Sequence, residues 1–374
     1  MLTETQTAIR DMVRDFAQSE IRPHSATFEA EGGYPAELFE RIAQLGLMGM
    51  TAPEDIGGAG ADYVSYALAL MEIAAADGAL STILSIQNSL IVSGLLKDGT
   101  AEQRARFLPD LLSGRAIGAF ALTEADAGSD ASAIRTRAET VPGGYRLNGA
   151  KQFITSGKIA RLAIVYAVTD AAAGKRGISA FLVPTDRPGY GVDKVEHKLG
   201  QGASDTCAIR FENLFLEDDL RLGAEGAGYG IALSNLEAGR IGIAAQSVGM
   251  AQAALDIAIA YAKDRNSFGQ SIIQHQAVGF RLADLATRLE AARQLVLSAA
   301  ALKDAGEPAL TQASMAKLFA SETAEAVVSG AIQTLGGYGY LEEFGLAKIY
   351  RDVRVCQIYE GTSDIQRLVI ARAL

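Results

Sequence analysis

The chain has 374 residues, with 34 Lys and Arg against 44 Asp and Glu, a formal net charge of -10 and a pI near 5.0. That balance argues against a general nucleic-acid binder and predicts a self-repelling, soluble surface, while the length implies two or three domains. Cys207 and Cys356 lie far apart, and His24, His197 and His275 are scattered, so neither a disulfide framework nor a metal centre is expected.

Residues 2–29 read as an amphipathic helix on Ile9, Met12, Val13 and Phe16, to be cut or kinked at Pro23. Its mixture of acids and arginines is unlike a signal or transit peptide. Pro35 opens a helix over 36–45, and Gly46 to Gly58 is a loop. Apolar helices follow at 62–75 and 78–97, and another at 101–112. No window is expected to be long and apolar enough to cross a bilayer, and a reducing, cytoplasmic setting is the default expectation. From residue 114 the period shortens to two. Strands are expected within 117–122, 145–149, 151–155, 162–169, 178–183, 189–192 and 207–211, separated by Gly, Asn, Asp and Pro turns. No long helix separates them, which favours an antiparallel sheet over βαβ units. After Gly223 the helical period returns, with candidates at 227–262, 271–304, 308–335, 341–354 and 362–373. The small-residue face Gly242, Ala245, Gly249 and Ala253 suits close helix packing. The predicted fold is α+β and multidomain: an N-terminal helical domain (1–113), a central antiparallel β-domain (114–222) and a C-terminal four-helix bundle (223–374). The helix lengths hint at a bundle shared between subunits.

The chemistry concentrates between Gln357 and Arg367. Glu360 stands at a turn between two helices, followed by Gly361, Thr362 and Ser363. Gly361 can take dihedrals that other residues avoid, and Thr362 or Ser363 can cap the last helix. A carboxylate in so apolar a stretch can have a raised pKa and act as a base; on physics alone, a capping or solvated Glu is the commoner outcome. Gly118 to Asp130 reads as a strand entering a small-residue loop, whose amides and the Thr123 and Ser129 hydroxyls could approach a planar ligand or phosphate. An ordinary Asx or Gly turn is the plainer account. Phe153 and Thr155 should share one face of a strand. Glu237 and Arg240, three apart on a helix, make a plausible intrahelical pair. Arg265 precedes a turn and can grip a phosphate bidentately. His275 reads as a helix residue near a cofactor or interface rather than a lone base. Neither Gly337-Tyr338-Gly339-Tyr340 nor the run from Gly226 to Gly230 has the strand-before, helix-after setting of a dinucleotide fingerprint.

In this order, and over nearly the whole chain, these motifs resemble those of the acyl-CoA dehydrogenase family, with wording near 338–367 closest to short-chain and short branched-chain members. The resemblance implies an FAD enzyme of fatty-acid β-oxidation that converts an acyl-CoA to a trans-2-enoyl-CoA. Glu360 is then the base that removes the α-proton, and an electron-transferring flavoprotein takes the electrons. Phe120, Leu122, Thr123, Gly128 and Ser129, with Phe153, Ile154 and Thr155, are implied to line the flavin, Thr123 near its pyrimidine end and Thr155 near N5. Thr362, Ser363 and Asp364 join that set. Arg265, Ser267, Phe268, His275 and Gln276, with Gln333, Leu335, Gly336 and Gly337, are implied to touch the cofactor, several of them that of a neighbouring subunit in a homotetramer built as a dimer of dimers. Ser129, Glu237, Arg240, Tyr359 and Gly361 fall to the substrate. The chain departs from the family pattern at Ala125, where Pro is usual, and at Phe153, where Trp is common. Gly239 occupies the place where some branched-chain and long-chain relatives carry their Glu, which agrees with a single base at 360. A flavin monooxygenase or oxidase on the same fold, which needs no such Glu, and a non-catalytic acyl-CoA-binding protein are the rival readings.

Overall fold

The computed structural model describes residues 2–374. Helix α1 (Glu4–Phe16) starts on a reciprocal cap: Gln6 N–H donates to Thr3 Oγ1 and Thr3 N–H to Gln6 Oε1. The interruption expected at Pro23 is drawn out into a π-turn (Ala17–Ile21) and a 3₁₀ turn (Arg22–His24) before α2 (Ser25–Glu31). Next come α3 (Ala36–Gln44) and α4 (Tyr63–Ala76). The run expected at 78–97 is α5 (Gly78–Ile86), a π-turn (Gln87–Val92) and α6 (Ser93–Asp98), and α7 (Ala101–Leu112) closes this helical region.

The central sheet has eight strands: β1 (Gly118–Ala121), β2 (Arg137–Val141), β3 (Gly144–Thr155), β4 (Leu162–Val168), β5 (Ile178–Pro184), β6 (Tyr190–Val195), β7 (Thr206–Glu217) and β8 (Arg221–Leu222). The order β6-β7-β3-β2-β4-β5-β8 is carried mainly by antiparallel pairs. Two pairings are parallel, β1 along Leu162–Val165 of β4 and the Arg137–Val168 contact of β2 with β4. The sheet is therefore mixed at β4. The segments expected at 145–149 and 151–155 are one strand, β3, which keeps its continuity by bulging against β7.

Helix α8 (Gly228–Asp264) is the spine of the molecule. At 37 residues it runs about 55 Å. Its first turn lies on β5, where a Cβ at Gly228 would sit 2.5 Å from the Ser179 carbonyl carbon. Further on it meets α4 so closely that a Cβ at Gly249 would sit 2.1 Å from the Met71 carbonyl oxygen. The small-residue face is thus a packing face. Helices α9 (Gln276–Asp304) and α10 (Leu310–Leu335) pack on α8, and the short α11 (Leu346–Val353) and α12 (Ser363–Ala371) pack on α10. The bundle thus has three long helices of its own, with α4 lying against α8 and α9.

The expectation that no stretch could span a bilayer needs correcting. The run Gly78–Asp98 (mean hydropathy 1.5) and α8 (1.4) have the necessary length and apolarity. Each is packed inside the protein, and the windows are 89% and 72% buried. Their apolar all-round faces match a core position between helices and sheet.

Candidate active site

The turn before α12 is strained and tied down. Glu360 has φ 52° and Gly361 φ 90°, so two successive residues are left-handed, the first at a cost that only glycine escapes. Three side chains hold this shape. Gln366 Nε2 donates to the Glu360 carbonyl at 3.2 Å and to the Gly361 carbonyl at 2.9 Å. Lys317 Nζ, from α10, donates to the same Gly361 carbonyl at 2.7 Å. Thr362 caps α12, its Oγ1 accepting from the Ile365 N–H at 3.4 Å. On the near side, Tyr359 donates to Gln246 Oε1, while Gln246 Nε2 donates to the Gly78 carbonyl at 2.7 Å and to Thr82 Oγ1 at 2.6 Å. The turn is thereby bolted to α8, α5 and α10 at once.

This geometry presses the Glu360 carboxylate onto α8 at Gly239, where a Cβ would lie 2.1 Å from Oε2. Only glycine leaves room there. Oε2 is enclosed and has no hydrogen-bond partner among the described residues. Burial therefore raises the Glu360 pKa to about 7, with Lys317 and then Arg240 opposing the rise. Desolvation dominates over the two nearby cations. A partly protonated carboxyl at neutral pH, with one oxygen unsolvated, is suited to taking a proton.

The expected Glu237–Arg240 pair is not made. Glu237 faces α9 and pairs with Lys303 at 3.2 Å, while Arg240 turns inward, Nη1 reaching Ser314 Oγ of α10 at 3.4 Å. Each has a better partner on a neighbouring helix than the other offers.

The loop after β1 is pinned by a buried cation. Lys151 Nζ donates to the Leu122 carbonyl at 3.0 Å and to Glu124 Oε1 at 2.8 Å. The Glu124 carboxylate also accepts the Arg135 and Thr136 N–H groups, and Thr123 accepts the Gln152 N–H at 2.9 Å. Phe120, Leu122 and Thr123 are thus brought beside the β3 bulge. Phe153 sits in that bulge with φ 59° and is 62% exposed, whereas Ile154 is buried and Thr155 half-buried beyond it. Gly128 and Ser129 lie exposed at the loop tip, and a Cβ at Gly128 would meet nothing. At the α12 N-terminus, the Ser363 hydroxyl is buried without a partner, next to Thr362 and the exposed Asp364.

The remaining candidates collect elsewhere. Arg265 ends α8, and β9 (Asn266–Ser267) pairs with β10 (Gln270–Ser271) in a small hairpin. His275 braces it, with Nε2 3.0 Å from the Ser267 carbonyl and Nδ1 3.1 Å from Gln270 Nε2. Gln276 begins α9, and Phe268 projects from the tip at 96% exposure. Gln333, Gly336 and Gly337, at and after the end of α10, are likewise exposed, with Leu335 buried beneath them. A Cβ at Gly336 or Gly337 would meet nothing. Along α8, Gly239 and Arg265 are separated by about 39 Å of helix. One chain does not fold the hairpin and the Glu360 turn into a single site.

Three side chains central to this geometry carried no role in the sequence reading: Lys317, Gln366 and Gln246, each fully buried. A signal existed for Lys317. It falls four after Ala313 and three before Ala320, on the buried stripe of its helix, where an unpartnered charge is rare.

Three family models together span nearly the whole chain: acyl-CoA dehydrogenase N-terminal domain at residues 3–115, middle domain at 119–214 and C-terminal domain at 226–374. The short-chain specific acyl-CoA dehydrogenase of Bos taurus mitochondria is 45% identical over 370 residues, covering 99% of this chain and 90% of its own. Butyryl-CoA dehydrogenase from Megasphaera elsdenii superposes with a TM-score of 0.97 at 39% identity, covering 100% of this chain and 98% of its own. A chain solved in work on the electron transferring flavoprotein of Acidaminococcus fermentans and flavin-based electron bifurcation superposes with a TM-score of 0.98 at 41% identity, covering 100% and 98%. The chain belongs to the acyl-CoA dehydrogenase family.

Proposed function

We propose that this protein catalyses the FAD-dependent α,β-dehydrogenation of a short-chain acyl-CoA to its trans-2-enoyl-CoA, with an electron-transferring flavoprotein as acceptor. The observation that carries the reading is the Glu360 carboxylate: buried, raised to about 7, and held in a left-handed turn with one oxygen free of partners. The short-chain preference is supported by the likeness to the bovine and Megasphaera enzymes.

The residues present suit an FAD cofactor. Phe153 is turned outward by a bulge, the Ser363 hydroxyl is orphaned at a helix N-terminus, and the glycines at 128, 336 and 337 have open space around them. An apolar face, an unsatisfied hydroxyl beside free helix amides and unobstructed backbone suit a ligand with a flat ring and phosphates. Thr123, Phe153, Thr155 and Ser363 would hold it in the chain that supplies the base. When bound, the flavin supplies a hydride acceptor at N5 and passes the electrons on.

Everything else in the step belongs to the chain. Glu360 takes the α-proton on its carboxylate. The Glu360 N–H would donate to the thioester carbonyl, stabilising charge as it builds there. Arg240 and Lys317 keep the carboxylate from rising further and so leave a useful fraction ionised at neutral pH. Tyr359, through Gln246 and Thr82, fixes the turn from behind. The exposed hairpin, with Phe268 bare to solvent at 96%, and the likewise bare Tyr340 after α10 at 87%, support an assembly in which Arg265, Gln276 and Gln333 serve a neighbouring subunit's cofactor. The test is anaerobic mixing of the flavin-loaded protein with acyl-CoAs of four to sixteen carbons. Bleaching of the flavin, fastest with butyryl-CoA, is expected; no bleaching with any chain length would end this reading.

A further inference from the structure

We infer that Lys317 is a positioning residue for the base: its buried ammonium, by gripping the Gly361 carbonyl, fixes the left-handed turn and supplies the field in which the Glu360 carboxylate sits. The inference rests on Glu360 being the base proposed above.

Lysine side chains are almost never fully buried unless paired with an acid. Lys317 is fully buried, yet among the described residues no carboxylate lies within ion-pair distance of it. Its hydrogen bond goes instead to a backbone carbonyl, the one immediately after the base. A lysine doing no more than filling space there would be better replaced by Met or Leu. What the charge faces explains its presence. Glu360 and the Cys356 thiol confront it from the turn, Arg240 from α8, and Glu322 from its own helix. Tyr66 of α4 lies close enough to Glu360 to feel its charge, and Glu237 of α8, though paired with Lys303, still acts on Arg240 through space. Burial lowers Lys317 to about 8, and Cys356 and Glu360 oppose the fall, so it remains charged at neutral pH.

The same face of α10 is polar along its length beside the turn. Ser314 takes Arg240, Lys317 takes Gly361, and Glu325 takes Gln357. The spacing is three and then eight, that of one helix stripe. Two of these contacts, at Gly361 and Gln357, anchor the turn and the segment entering it. Lys317 is the one that combines a hydrogen bond to the turn with a positive charge near the carboxylate.

The experiment compares wild type, Lys317→Met, Lys317→Gln and Lys317→Arg, all flavin-loaded, with butyryl-CoA and an artificial acceptor across pH 5.5 to 9. In Lys317→Met, kcat at pH 7 should fall about 10- to 100-fold with KM nearly unchanged, and the acid limb of the rate profile should move up by about one pH unit. Lys317→Gln, which keeps a polar end but no charge, should show the same displaced limb and covers the case in which Met does not fold. Lys317→Arg should return the limb to its wild-type position. Two further readouts use protein stripped of flavin: the infrared titration of the Glu360 carboxyl, assigned by its loss in Glu360→Gln, and amide exchange over 359–363. The titration should move with the rate limb, and exchange should quicken in the neutral variants. A fall in kcat with an unmoved limb and titration would make Lys317 merely structural and overturn the inference. So would an arginine variant displaced as far as the methionine one. If wild type fails to turn over any acyl-CoA, the proposed function falls instead, while the titration still decides whether Lys317 governs Glu360.

Discussion

In the function proposed, the turn at Glu360 and the hairpin at Arg265 serve one reaction, yet they are built on opposite principles. Around Glu360 the chain is self-sufficient. Helices α5, α8, α10 and α12 each contribute a buried side chain, and the carboxylate is left without a hydrogen-bond partner on its enclosed oxygen. Around Arg265 the chain is unfinished. The hairpin is two residues a side, its aromatic tip is bare, and its internal bonds run through His275 to a carbonyl and an amide. Proton abstraction demands a base held rigidly in a low-dielectric pocket, which a single chain supplies best. Gripping a large cofactor at its far end can be left to whatever chain lies alongside.

Substitutions at the two regions should therefore fail differently. Glu360→Gln removes the acceptor of the proton and keeps its volume. Turnover should fall by about 10²–10⁴-fold, while the flavin spectrum and the assembly size stay as in wild type. Retained bleaching by butyryl-CoA in this variant would move the base elsewhere. Gly239→Ala should come next. The new methyl would stand 2.1 Å from Glu360 Oε2, so the carboxylate must swing away, and kcat should drop by about 100-fold from the misplacement alone. A stopped-flow measurement of the reductive half-reaction would show it, and an unchanged rate would mean the turn is softer than its bonds suggest. Arg265→Ala should leave the rate of a fully loaded enzyme nearly intact. It should weaken flavin retention by about tenfold or more, the loss of one charge-assisted hydrogen bond, as read by dialysis or fluorescence. A loss of kcat at saturating FAD without a loss of affinity would contradict the division.

The pH profile separates the regions further. With Glu360 raised to about 7, kcat/KM should climb with unit slope as pH rises toward that value and level off above it, since the base must be ionised in the free enzyme. The Arg265 variant should share this limb; Gly239→Ala, which displaces the carboxyl from its pocket, should move it downward.

Sequence made the Glu360 end of this contrast more readable than the rest. An acid followed by Gly361, Thr362 and Ser363 in an apolar stretch implies a turn, a cap and a perturbed carboxyl from local chemistry, and these are the features observed. What surrounds the turn arrives from Lys317 and Gln246, 43 and 114 residues earlier in the chain (360 − 317 and 360 − 246), and no local pattern connects them. Strand β2 escaped because Arg137–Val141 is largely polar, with Ala138 its one buried residue. It earns its place by pairing with β3 rather than by burial. The parallel alignment of β1 with β4 was equally invisible, since the connection between them is itself made of strands and loops rather than a crossover helix. The π-turns at 17–21 and 87–92 are single-residue insertions into otherwise ideal helical periods, too small to register in a hydrophobic pattern.

The smallest effect should be on stability, and its sign is the sharpest check on burial. Glu360 is near 4.5 when unfolded and about 7 when folded, so the folded state holds its proton more tightly. Below the lower value both states are protonated and nothing is lost. As pH rises through the interval the unfolded chain ionises freely while the folded one resists, and stability declines until the upper value is passed. The whole shift corresponds to an upper bound of about 3 kcal/mol, and partial solvent access reduces it to about 1–2 kcal/mol. Glu360→Gln has no proton to hold and should lack the decline. Urea unfolding at pH 5 and pH 8 should therefore show wild type losing more stability than the variant between the two, with the variant the more stable protein at pH 8. Arg265→Ala should keep the wild-type difference. If wild type and Glu360→Gln changed in parallel instead, the carboxylate would be paying no desolvation cost, and the pocket that distinguishes this end of the molecule from the hairpin would have to be open to water.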